Sequence, residues 1–158
     1  MKVLVIYDSV FGNTEKVARA IAEGLGKQAA VELKRPAEMT ADGLAGFDLL
    51  VVGSPTRSFQ ATEATVALLK SLPAGCLKGR RAAAFDTRID AKTIKQAAFR
   101  FMVNTGGYAA KKIADRLKKA GAELAAAPEG FIVEATEGPM RAGELERATA
   151  WGERLVAA

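Results

Sequence analysis

Residues 3–20, VLVIYDSVFGNTEKVARA, decide the reading of the fold. An unbroken apolar run (Val3, Leu4, Val5, Ile6, Tyr7) passes through a short turn rich in hydroxyl groups into a helical spacing of Val17, Ile21 and Leu25. The pattern predicts strand, turn and helix. A strand that is apolar at every position is covered on both faces, as an inner strand of a parallel sheet is. The turn then lies at the carboxyl edge of that sheet, where open α/β proteins bind ligands.

The chemistry of the turn is narrow. Ser9, Asn13 and Thr14 offer side-chain donors, Gly12 lets backbone approach closely, and the first amides of a helix starting near Thr14 carry the positive end of its dipole. Such a loop suits a phosphate. The loop holds no Lys or Arg before Lys16, so oriented dipoles rather than a counter-charge would meet the anion. A P-loop is excluded because no Gly-Lys-Ser/Thr follows. Gly24, Gly26 and Ala29 imitate a dinucleotide fingerprint but end a helix where the fingerprint must begin one. The competing reading is an ordinary helix start with Asn13 as N-cap.

Further along, Gly26 is placed as the residue closing the first helix, and residues 30–34 alternate as a peripheral strand does. Residues 49–52 read as a second inner strand, ended by Pro55, and 62–72 as a helix carrying Val66, Leu69 and Leu72 on one side. Residues 82–85 read as another buried strand, leading into a loop at 85–88. Residues 94–103 have helical spacing, 109–120 form the next helix, and 123–133 form a last strand that Pro128 and Gly130 bulge or break. Leu145, Ala148, Gly152 and Leu155 give a terminal helix one apolar face. The alternation predicts one α/β domain over residues 1–158. Its expected form is a three-layer sandwich, with a five-stranded parallel sheet of order 2-1-3-4-5 between helices on both faces.

Composition removes several classes of function. With no histidine and one cysteine, Cys76, the chain has few ligands for zinc or haem and lacks the usual acid/base residue of neutral-pH catalysis. No metal site and no catalytic side chain is expected, and Cys76 reads as an inert loop thiol. If the protein catalyses a reaction, a bound cofactor carries the hard step. The net charge of +5 is spread along the chain, and its densest group (Lys111, Lys112, Arg116, Lys118, Lys119) lies on a helix face without interleaved aromatic residues. Nucleic acid is not the expected partner. No apolar run reaches the roughly 18 residues of a membrane span, and a cytoplasmic location is expected.

Residues 7–15, YDSVFGNTE, resemble the FMN phosphate loop of the flavodoxins, with Val10 and Phe11 where that family more often has threonines. Gly53, Ser54, Pro55 and Thr56 resemble its second flavin loop, and the likeness runs from residue 1 to about 155 with an extra stretch near 90–104. The resemblance implies FMN as cofactor, its phosphate on Ser9, Val10, Phe11, Gly12, Asn13 and Thr14. It implies two ring-bracketing loops, Pro55, Thr56, Arg57, Ser58 and Phe59, and Phe85, Asp86, Thr87 and Arg88. Flavodoxins commonly stack a tryptophan and a tyrosine on the ring. This chain has Arg57 at the first position, Phe59 two residues late, and no aromatic between Asp86 and Arg88. Two lost stacking partners, at about 0.5–1.5 kcal/mol each, weaken FMN roughly tenfold or more, and a guanidinium at Arg57 stacks in partial compensation.

What the resemblance implies is an electron carrier that acts through FMN and docks a redox protein with an acidic surface, since this chain is basic. Arg57 and Arg88, as cations beside the ring, would favour the anionic reduced flavin. Pro55, Thr56 and Arg57 also resemble the loop of flavodoxin-like NAD(P)H:quinone oxidoreductases. An FMN-dependent reductase of quinones or nitroaromatics is therefore the alternative, and a flavin-free interaction module the third reading.

Overall fold

The computed structural model describes residues 1–90 and 107–157. The helix expected at 94–103 lies outside them. In chain order the elements are β1 (Lys2–Tyr7), α1 (Asn13–Leu25), β2 (Ala30–Lys34), two short 3-10 turns, β3 (Leu49–Pro55), α2 (Glu63–Lys70), β4 (Arg81–Ile89), α3 (Ala109–Lys119), β5 (Glu123–Leu124), β6 (Glu129–Val133) and α4 (Glu144–Ala157).

All the pairings between these strands are parallel, in the order β2-β1-β3-β4-β5, with β6 also on β4. The last strand is one strand interrupted. β5 pairs with Arg81 and Ala82, β6 with the stretch from Phe85 to Ile89, and after the Ala125 amide, which still donates to Ala82, residues 126–128 leave the ladder. Proline cannot donate to a ladder, which is the break its position predicts.

Strand alternation sorts the core into two layers. Leu4, Ile6, Leu50, Val52, Ala82 and Ala84 face α2 and α3, meeting Leu68, Leu69, Ile113 and Leu117. Val3, Val5, Leu49, Val51, Ala83 and Phe85 face α1 and α4, meeting Val17, Ile21, Leu25, Trp151 and Leu155. Because both faces are covered, β1, β3 and most of β4 have to be continuously buried, as they are.

Helices α1 and α4 cross closely because glycine sits at the crossing. A Cβ on Gly24 would overlap the Thr149 carbonyl oxygen, and one on Gly152 would overlap that of Ile21. Gly24 is thus a packing residue of two helices, in keeping with the rejected fingerprint. Gly26 does not act as a left-handed cap; its φ is −64°.

Candidate cofactor-binding site

The sheet order changes direction between β1 and β3, so the loops leaving their carboxyl ends part there and leave a crevice. This crevice encloses about 330 Å³. One wall comes from the loop before α1, whose N-cap Gly12 has φ +91°, a left-handed conformation that glycine adopts without a Cβ penalty. Asn13 is therefore the first helical residue and not the N-cap.

The hydroxyl of Ser9 holds the loop closed, accepting from the amides of Gly12 (3.1 Å) and Glu15 (3.3 Å). The amides of Val10, Phe11, Asn13 and Thr14 have no acceptor among the described residues. Asn13 lines the crevice with only 8% of its surface exposed, and its carboxamide has no hydrogen-bond partner among those residues. A set of unsatisfied donors at the positive end of a 13-residue helix fits a phosphate group.

Residues remote in sequence brace this loop. Asp8 accepts from the Ser9 amide (2.9 Å), from Arg35 Nη1 (3.2 Å) and from the Thr62 hydroxyl (2.5 Å). Arg35 also donates to the Ser9 carbonyl, pairs with Glu15 (3.1 Å) and lies over the Tyr7 ring. Thr62 caps α2, and its amide donates to the buried Ser54 hydroxyl (2.9 Å). The ends of β1 and β3 and the start of α2 are thus tied by side chains. Arg35 was not among the expected site residues, and no motif marks it.

Thr14 is almost fully buried, and its hydroxyl meets that of Thr87 at 2.8 Å. Each hydroxyl has one proton, and the bond between them uses only one. The other is left to donate to a ligand in the crevice that both residues line.

The expected ring loops are partly strand. Pro55 ends β3 opposite Thr87, and β4 runs through Asp86, Thr87 and Arg88 to Ile89, four residues past the expected end at Phe85. Polar residues can continue a buried strand here because each finds a specific partner. Beyond Thr56, Arg57 and Gln60 exchange backbone hydrogen bonds around Ser58 (φ 49°) and Phe59 (φ 67°), giving a tight turn with two left-handed non-glycine residues.

Alternation along β4 divides the four expected residues. Phe85 has no exposed surface; its ring packs edge-on against Phe131 and Trp151, each 6.3 Å away. Trp151 is helix packing. Asp86 is also fully buried, facing α3, where it accepts from Arg88 Nε (2.6 Å), Arg88 Nη2 (2.7 Å) and the Ala110 amide (2.9 Å). Both carboxylate oxygens thus accept from within the protein. Burial holds its carboxyl above the usual range, and Arg88 and the Ala110 amide pull against that shift. Arg88 packs over Gly130, stacks on Tyr108 at 3.8 Å, and is charge-matched by Asp86 rather than a free cation.

Of the expected residues, Ser9, Val10, Phe11, Asn13, Thr14, Pro55, Thr56, Arg57, Ser58, Thr87 and Arg88 line the crevice. Gly12 shapes the loop without lining it, while Phe59, Phe85 and Asp86 lie outside it. Ile89, Val133 and Thr136 complete the wall unforeseen; they come from the ends of β4 and β6 and the turn after β6, with no signature of their own. Arg57 is exposed and has no carboxylate partner among the described residues.

Comparison with known proteins places the fold and the family. The chain is 47% identical to a flavodoxin of Aquifex aeolicus over 57 residues, which is 35% of this chain and 31% of that relative. The match thus spans about a third of that relative's length. The fold superposes on oxidised flavodoxin 1 of Bacillus cereus with a TM-score of 0.78 at 18% identity, covering 99% of this chain and 98% of that one. It also superposes on two-electron reduced Megasphaera elsdenii flavodoxin with a TM-score of 0.70 at 24% identity, covering 99% of both. No described helix is long and apolar enough to cross a membrane. The family profile of the flavodoxins, proteins that bind FMN and pass electrons to redox partners, matches residues 5–151, and this chain belongs to that family.

Proposed function

We propose that the crevice binds FMN, with the phosphate on residues 9–14 and the ring between the Pro55–Ser58 segment and the end of β4, and that the protein is an electron carrier. The observation that carries this reading is the set of donors on one wall of the crevice, four amides and the Asn13 carboxamide, that have no acceptor among the described residues. FMN supplies the redox chemistry when bound. The chain's own part is to bind and orient. Ser9 fixes the loop, Thr14 and Thr87 share a donor proton, and Arg35 and Asp8 hold the loop's base. Apolar surface from Val10, Phe11, Pro55, Ile89 and Val133 lines the crevice in place of stacked aromatic rings.

Among the described residues the lining side chains include no carboxylate, histidine or cysteine, which favours a carrier over an enzyme with its own acid or nucleophile. The reading extends to a cytoplasmic protein with an acidic redox partner, whose electron exchange slows as ionic strength rises. Absorption of the purified protein and steady-state turnover of NADPH with a quinone test it together. The expected result is a yellow protein with one FMN per chain and negligible turnover. Sustained turnover would favour the quinone reductase instead. A colourless protein that takes up no FMN would leave only the flavin-free interaction module.

A further inference from the structure

Many cations of this chain are held by carboxylates, among them Arg19 by Glu15, Lys34 by Glu38, Arg141 by Glu134, and Arg147 by Glu129 and Glu144. Four that line one groove are not. The groove runs between α2 and α3 and encloses about 350 Å³. Ala61, Val66, Leu69 and Ile113 supply its apolar surface, while Lys70, Lys112, Arg116 and Lys119 supply its charge. None of the four has a carboxylate partner among the described residues. Lys112 Nζ donates to the neutral Phe59 carbonyl at 2.5 Å, and Asp115, the one acid among the described lining residues, pairs with Lys111 at 3.0 Å.

We infer that this groove docks a protein partner through a segment that presents carboxylates on either side of aliphatic side chains. The charge complementarity is one-sided: four unmatched cations frame an apolar floor, so an occupant gains by bringing carboxylates to the rim. The apolar floor requires side chains to fill it. Its described lining has no aromatic ring on which a base could stack, so a single-stranded nucleic acid is the poorer occupant. The groove also reaches the cofactor crevice. Gln60 lines the groove while Arg57 and Ser58 of the same turn line the crevice, and Lys112 holds that turn by its Phe59 carbonyl. A partner seated here lies one turn from the cofactor. That use for electron transfer rests on the FMN reading, whereas the binding does not.

The test titrates the isotopically labelled protein, as purified, with a synthetic amphipathic peptide of leucines on one face and glutamates on the other, followed by backbone amide NMR. Shifts are expected to concentrate in residues 60–70 and 109–119, and binding to weaken with added salt. The Lys70→Glu/Lys119→Glu variant should bind about tenfold more weakly, the effect of reversing two exposed charges. Both side chains are exposed, so the fold should survive, and the salt titration of the unaltered protein needs no variant. Absent or scattered shifts, or equal binding of a lysine-for-glutamate peptide, would overturn the inference. So would displacement of the peptide from these residues by oligothymidylate at comparable concentration, which would assign the groove to nucleic acid. Groove shifts in a protein that takes up no FMN would keep the docking site and sink the cofactor reading alone.

Discussion

Arg88 grips the fully buried Asp86 carboxylate with two nitrogens, at 2.6 and 2.7 Å, and the Ala110 amide completes the set at 2.9 Å. The pair joins β4 to the start of α3 behind the crevice wall.

Removing one partner strands a buried charge. Arg88→Met is expected to cost about 3–5 kcal/mol of stability, and the Asp86→Asn/Arg88→Met double variant to recover much of it. The sign of the pH dependence follows from Asp86. Its carboxyl already sits above the usual value because of burial, and loss of Arg88 raises it further. The folded Arg88→Met protein then binds a proton more tightly than the unfolded chain, so its deficit grows as pH rises through the raised value and shrinks below it. Urea unfolding at several pH values measures both effects; a deficit that grows towards acid would contradict the pairing.

The same pairing corrects the electrostatic expectation for the flavin. A lone cation about 8 Å from a reduced ring would contribute on the order of 2 kcal/mol at an effective dielectric of about 20. Asp86 cancels most of that field, and the exposed Arg57 is the unmatched cation lining the crevice.

Thr14→Val removes a hydroxyl donor to a charged acceptor, a loss of about 1.5–3 kcal/mol, or roughly tenfold to a hundredfold in FMN affinity. Thr87→Val leaves Thr14 its own proton and should weaken FMN only about fivefold. Fluorescence titration with FMN and with riboflavin checks this, since riboflavin lacks the phosphate and should be indifferent to both changes. Equal weakening of the two ligands would mean that only the helix start was damaged.

Glu144 anchors α4 to the last strand. It accepts from the Ile132 amide (2.7 Å) and pairs with Arg147 (2.9 Å), which also meets Glu129 and stacks on Phe131. The Arg147 hydrogen bond, reinforced by the Ile132 amide, holds its carboxyl below the ordinary value of 4.5. The folded state therefore prefers the ionised form. That stabilisation is complete above the ordinary value and is lost as pH falls through the lowered one. Glu144→Gln should cost about 1.5–3 kcal/mol at pH 7 and progressively less in acid. A gap between the two proteins that does not narrow in acid would contradict it.

Much of this was legible in the sequence because inner strands advertise themselves. β1 and β3 are apolar throughout, and a loop whose donors are side-chain hydroxyls, an amide and a glycine has few other uses. What escaped was set by tertiary partners. β4 continues through Asp86, Thr87 and Arg88 because Arg88 and the Ala110 amide of α3 hold Asp86 and Thr14 of α1 meets Thr87, and the partners from α1 and α3 are ones that no window of sequence displays. Phe85 and Asp86 left the site through strand alternation, once the strand was longer than its apolar run. Arg35, 26 residues from the Ser9 carbonyl it holds, reaches the loop only through the β2–β1 pairing.

The central claim is that the loop at residues 9–14 binds the phosphate of FMN through oriented dipoles without a cationic side chain of its own. Isothermal titration of the flavin-free protein with FMN and with riboflavin tests it most directly. The account predicts one FMN per chain and an affinity for riboflavin at least tenfold lower, the loss of several charge-assisted hydrogen bonds. Equal affinity for the two flavins, or no uptake of either, would contradict it.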